Sequence, residues 1–155
     1  MAERRYKICF PCSSGGHLAQ LHCLDAWWTE HDRFWVTFKK PDAESLLADE
    51  RTYWGYFPTN RSLKNLVRNS AMALRVLARE RPDVIVSNGA GLAVPYFWLG
   101  KVLFGCRTVY VEVYDRIDSS PLTSRLVQPV LDEMVIQWED QRVFYPGAVN
   151  LGQVL

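Results

Sequence analysis

The stretch YKICFPCSSGGHLAQLHCLDAWW, residues 6–28, runs from a β-rich segment through a loop of small residues into a helical pattern. YKICFPC has the branched and aromatic content of a strand buried on both sides, and HLAQLHCLDAWW carries apolar residues at helical spacing. The same order returns along the chain. RFWVTF leads to DAESLLADE, YWGYFP to RSLKNLVRNSAMALRVLARER, DVIVSNG to LAVPYFWLGKVLF, and RTVYVEVY to SPLTSRLVQPVLD, with EMVIQW closing the series. Strand followed by helix, repeated in this way, predicts an α/β fold: a Rossmann-like parallel sheet with helices on both faces.

At 155 residues and 48% hydrophobic content the chain has the size of one domain, and no repeat or linker divides residues 1–155. Eighteen basic against 17 acidic residues leave a formal net charge of +1, which gives no global field for nucleic acid. Four cysteines, Cys9, Cys12, Cys23 and Cys106, are too scattered for a disulfide scaffold and fit a reducing cytosol. Arg4-Arg5 is followed by too short an apolar run for an export signal. The apolar segment 89–106 is interrupted by Pro95 and Lys101 and falls short of the roughly 20 residues of a membrane span.

In open parallel sheets, ligands bind where strands end and helices begin, so the glycine-bearing junctions SSGGH (13–17) and SNGAG (87–91) are the places for a site. Neither is a dinucleotide fingerprint or a P-loop. Ser13, Ser14, Gly15 and Gly16 offer hydroxyls and closely approachable amides to phosphate or sugar oxygens, and Asn88, Gly89 and Gly91 do the same from the second loop. His17 sits at the first junction, where the helix dipole is expected to keep its imidazole neutral and able to accept a proton. Glu112, at the end of the strand VYVEV, is a second candidate base or sugar-binding acceptor, ranked above Asp115. Cys9 and Cys12 read as buried strand thiols, and no Cys/His set has the spacing of a metal site.

Residues 61–81 form a basic amphipathic helix. Leu63, Leu66, Val67, Leu74 and Leu77 mark one stripe and Lys64, Arg68, Arg75 and Arg79 another, a pattern suited to anionic lipid headgroups or to an ordinary outer face. The apolar end of the chain, with Val149, Leu151, Val154 and Leu155, is expected to dock on a partner.

SSGGHLAQL, SNGAGLAVP, VYVEVYDR and LDEMVIQWEDQRVFYPGAVNLG, in this order, resemble the anchoring subunit of the split UDP-N-acetylglucosaminyltransferase of the dolichol pathway. They resemble more closely its bacterial polysaccharide-biosynthesis counterparts of the PssD and CpsF type. The resemblance implies the acceptor-side half of a GT-B glycosyltransferase, similar to the N-terminal domain of the peptidoglycan N-acetylglucosaminyltransferase. It implies His17 as general base, with the two loops facing a polyprenyl-diphosphate-linked glycan. It further implies a separate donor-binding subunit that holds the nucleotide sugar, no cofactor of the chain's own, and peripheral attachment at the inner face of the cell membrane. This chain has serines where the peptidoglycan enzyme's first loop begins with glycines, and shows no N-terminal membrane helix like that of the eukaryotic subunit. Two other classes fit the residues: a non-catalytic scaffold that recruits the donor subunit to the membrane, and a self-sufficient nucleotide-binding α/β enzyme.

Overall fold

The computed structural model describes residues 4–153. Seven strands form one parallel sheet: β1 (Lys7–Pro11), β2 (Asp32–Phe38), β3 (Thr52–Gly55), β4 (Val84–Ser87), β5 (Arg107–Val111), β6 (Glu133–Ile136) and β7 (Val149–Asn150). Their spatial order is β3-β2-β1-β4-β5-β6-β7. The chain therefore moves outward from β1 in one direction, returns, and moves outward from β4 in the other. β1 and β4 lie side by side, with Ile8 opposite Val84 and Cys9 opposite Ile85. This reversal brings the loops that follow β1 and β4 next to each other, and those are the two glycine-bearing loops.

Among the described residues six α-helices connect the strands: α1 (Gly16–His22), α2 (Asp25–Trp28), α3 (Pro41–Leu46), α4 (Leu63–Glu80), α5 (Ala93–Phe104) and α6 (Leu122–Val127). The segment read as one helix from His17 divides at Cys23–Leu24, and the last helical pattern passes into a 3-10 turn, Gln128–Val130, where Pro129 removes an amide donor. Right-handed crossovers place helices on both faces because the chain reverses direction. One core packs α4, α5 and α6 on Cys9, Phe34, Val36, Ile85 and Tyr110; the other packs α1, α2 and α3 on Ile8, Phe10, Trp35 and Val86. In α5, Gly100 permits the closest approach to the sheet, since a Cβ there would lie 2.1 Å from Ile85 Cδ1.

Helix α4 departs from its expected amphipathic arrangement. Of the stripe Leu63, Leu66, Val67, Leu74 and Leu77, only Leu77 is buried; Leu63 is 75% and Val67 62% exposed. The buried face is instead Asn69, Ala73, Val76, Leu77 and Glu80. Asn69 grips the chain beyond β3, accepting from the Tyr56 amide at 2.8 Å and donating to the Tyr56 carbonyl at 3.0 Å. Glu80 meets Lys7 at 3.0 Å and accepts from the Tyr53 hydroxyl at 2.6 Å. Burial alone would raise the Glu80 carboxyl, but Tyr53, Lys7 and Arg51 hold it below its ordinary value. Satisfied polar anchors thus outweigh the apolar stripe in choosing the inward face.

The sheet is covered unevenly. Over β4, β5 and β6, on the face of α1–α3, helix cover is partial: Val86 and Val111 belong to the core beneath these helices, whereas Val84, Val109 and Val135 are only half-buried. Val84, Val86, Val109, Val111 and Val135 there line an apolar groove of about 590 Å³, closed at its sides by Trp27 and by Leu151. The tail expected to be a free docking segment begins as an edge strand, β7, paired with β6 at Val135 and Ile136. Val149 and Leu151 are exposed, while Val154 and Leu155 lie outside the described residues.

Candidate functional site

The strand reversal is tied together at its C-terminal edge. The Ser87 hydroxyl donates to the Pro11 carbonyl and accepts from the Gly89 amide at 3.1 Å, so one side chain joins the ends of β1 and β4. Asn88 Nδ2 donates to the His17 carbonyl at 2.7 Å, which clamps the second loop to the start of α1. On the other flank, Gln20 of α1 accepts from the Tyr114 amide at 3.0 Å and holds the segment after β5 against the same edge.

These ties enclose a cavity of about 370 Å³. Of the residues expected at the site, Ser13, His17, Asn88, Gly89, Gly91 and Glu112 line it, whereas Ser14, Gly15 and Gly16 do not. The Gly15 amide already donates to Asp42 Oδ2 of α3 at 2.7 Å, so this part of the first loop is held by a carboxylate of the chain itself. Phe57, Thr59, Asn60, Tyr110, Arg116 and Thr123 complete much of the wall. Arg116 brings a cation to the cavity that the strand-and-loop pattern did not single out.

His17 is half-buried. Burial is the first cause that pushes its imidazole below the ordinary histidine value; Asp115 and Asn88 pull the other way, and Arg116 adds to the lowering. The neutral form expected at this junction is therefore favoured, with desolvation rather than a helix dipole as its leading cause. A seven-residue α1 is a short source of such a dipole. The structure places the imidazole on the wall of a polar cavity, and burial favours its neutral form, which is able to accept a proton.

Glu112 is fully buried. Its Oε1 accepts from the Val113 amide at 2.9 Å and its Oε2 from the Tyr145 hydroxyl at 2.5 Å, while Tyr145 also meets Ser124 Oγ at 2.8 Å. Burial raises its carboxyl above the usual carboxylate range, with the bonds from Tyr145 and Val113 opposing. Both oxygens are engaged, an arrangement that clasps β5 to α6 and to the segment after β6 and leaves little for work as a base. Cys9 and Cys12 are buried, as expected of strand thiols, and burial pushes Cys12 up to about 12. No cluster of three metal-ligating side chains occurs among the described residues.

Lys64, Arg68, Arg75 and Arg79 stand on the outer side of α4, and none forms a salt bridge among the described residues. They flank the exposed Leu63, Leu66, Val67 and Leu74. No described helix is long and apolar enough to cross a membrane.

Residues 58–154 match the family described as oligosaccharide biosynthesis protein Alg14 like. The chain belongs to this Alg14-like family. The Eremothecium gossypii protein named UDP-N-acetylglucosamine transferase subunit ALG14 is 38% identical over 105 residues, 61% of this chain and 47% of that protein. The Mus musculus protein of the same name is 28% identical over 86 residues, 52% of this chain and 39% of that one. The matched part thus spans less than half the length of these relatives. Among solved structures, Acinetobacter baumannii MurG superposes with a TM-score of 0.69 at 14% identity, over 86% of this chain and 42% of MurG. An S. aureus MnaA-UDP co-structure gives 0.75 at 12% identity, over 96% and 45%. At such identities the likeness establishes the fold: one Rossmann-like half of a GT-B architecture.

Proposed function

We propose that this Alg14-like protein is the acceptor-binding subunit of a two-component glycosyltransferase of the PssD and CpsF type, acting in exopolysaccharide or other glycan assembly. The observation that carries this reading is the position of His17 on the wall of a cavity built by the strand reversal, beside Asn88 and Gly89. The acceptor is a polyprenyl-diphosphate-linked saccharide, with its diphosphate toward Arg116 and the two loops. His17 removes the proton from the attacking hydroxyl; that oxygen bonds to the anomeric carbon of the donor sugar, and the nucleoside diphosphate leaves with its bonding pair, inverting the centre. General-base catalysis of this kind is worth roughly 10²–10⁴-fold. Glu112 serves as the clasp described above, and no cofactor takes part.

The nucleotide sugar is held mainly by a donor-binding subunit. The relatives are named transferase subunits, and this fold is one half of proteins about twice as long, which supports a second polypeptide. The valine groove and the exposed Val149 and Leu151 beside it supply an apolar seat for it. Membrane attachment is peripheral, at the inner face of the cell membrane. Helices in this fold run against the strands, so the first turns of α4 and α6 lie at the same edge as the cavity, and there Leu63, Val67 and Leu122 are exposed beside Lys64 and Arg68. Apolar insertion and attraction to anionic headgroups, about 1 kcal/mol per basic residue, then act next to the acceptor's own lipid.

The test is His17→Ala in the complex reconstituted with the donor-binding subunit and the lipid-linked acceptor. Turnover is expected to fall by about 10²–10⁴-fold with the complex intact on gel filtration. Turnover within a few-fold of the unsubstituted complex overturns the assignment and leaves a recruiting scaffold as the better reading.

A further inference from the structure

Tyr110 lies in β5, in register between Ser87 of β4 and Met134 of β6, and is fully buried. Its ring packs beside Phe97 of α5 with centroids 6.3 Å apart, a role that phenylalanine would fill as well. Its hydroxyl has no hydrogen-bond partner in the protein. A buried hydroxyl left in this state costs stability that phenylalanine would not, so its presence needs a reason.

Its surroundings supply one. Two other buried polar atoms without a bond of ordinary geometry, His17 Nδ1 and Asn88 Oδ1, belong to side chains lining the same cavity. Gly89 stands between the Tyr110 hydroxyl and the His17 ring: a Cβ built there would lie 3.0 Å from Tyr110 Oη and 3.4 Å from His17 Cε1. Gly89 adopts φ +124°, a conformation that residues with side chains rarely take, and so keeps open the space that hydroxyl and imidazole share. A donor and a proton-accepting ring bordering one small space, with Asn88 beside the ring, match a saccharide hydroxyl that both accepts and donates.

We propose that the Tyr110 hydroxyl donates a hydrogen bond to the oxygen of the acceptor hydroxyl that His17 deprotonates, making Tyr110 a substrate-binding residue of the site. This rests on the acceptor-binding reading above. The phenol is suited to donate throughout the physiological range, because burial pushes its ionisation far up. Donation to the nucleophilic oxygen fixes its lone pairs, leaves its proton toward His17, and sets the line of attack.

The experiment measures, in the intact complex, calorimetric binding of farnesyl-diphosphate-linked N-acetylglucosamine and of farnesyl diphosphate alone, for the unsubstituted protein and for Tyr110→Phe. The saccharide probe is expected to bind the variant about tenfold more weakly, as loss of one buried hydrogen bond implies, while farnesyl diphosphate binds both alike. Melting temperature should hold or rise, because removing an unsatisfied hydroxyl relieves the fold; a merely structural hydroxyl would lower it. Equal saccharide affinity in the two proteins overturns the role of Tyr110 and leaves the acceptor reading standing. Failure of the unsubstituted complex to bind either probe overturns the acceptor reading itself, and this role with it.

Discussion

SSGGH and SNGAG resemble each other as sequence, and the fold sets them side by side, yet they are built differently. The first loop is open. Its two glycines have no atom within 4 Å of where a Cβ would stand, and one amide is held by Asp42. The second is locked: Ser87 and Asn88 tie it to β1 and α1, Ala90 adopts φ +98°, and Gly89 is pressed against Tyr110 and His17. Backbone strain at a non-glycine residue costs about 1–3 kcal/mol and persists where the surroundings over-determine it. The second loop therefore sets the geometry of the cavity, and the first contributes Ser13 and His17 to its wall.

The sharpest way to break this contrast is Gly89→Ala. The new Cβ would stand 3.0 Å from Tyr110 Oη in a strained conformation, so stability should drop by about 1–3 kcal/mol in denaturant titration. Turnover of the complex should fall on the order of 100-fold as His17 and Tyr110 are displaced. A fully active variant would show that the second loop does not hold the site.

A smaller effect separates the charges around His17. If its neutral form is the base, as proposed, the lowering of its folded value puts the acid limb of kcat/KM for the acceptor below the ordinary histidine value of about pH 6.5. Asp115→Asn removes the anion that raises the imidazole and should move the limb to lower pH. Arg116→Gln removes the cation that lowers it and should move the limb to higher pH. Both charges are exposed and screened by solvent, so the shifts should be small but opposite in direction. Limbs that stay fixed would mean that another group is titrating.

The smallest change is expected at Gly16→Ala, the first residue of α1, which faces open space. Alanine there should add about 0.4–1 kcal/mol by restricting the unfolded chain, seen as a rise of a few degrees in melting temperature, with turnover within twofold. Loss of activity in a well-folded variant would sharpen the comparison differently, by showing that a ligand approaches the first loop more closely than its cavity-lining residues imply.

The alternation of strands and helices was legible because buried parallel strands and amphipathic helices leave distinct periods, and the pairing of the two loops followed from that topology. His17 and Asn88 were legible for the same reason, since they sit where the chain leaves a strand. Tyr110 was not: a tyrosine in a central strand reads as core, and only the unsatisfied hydroxyl beside Gly89 distinguishes it. The inward face of α4 was hidden by its polar anchors, because nothing local reveals that Asn69 will bond Tyr56 or that Glu80 will meet Lys7. A carboxylate in the apolar run around Glu112 reads as a candidate base, and its partner Tyr145 is far along the chain, so the sequence alone does not reveal the clasp. A two-residue β7 is too short to leave a period at all.

The valine-lined groove beneath β4, β5 and β6 carries a consequence for how this polypeptide behaves by itself. Val84, Val109 and Val135 are only half-buried there, and together with the exposed Trp27 and Leu151 they leave an apolar surface that invites sticking, so the solitary species should tolerate crowding poorly and cluster as it is concentrated. Joint production with whatever seals that surface is then the practical route to material that stays dispersed.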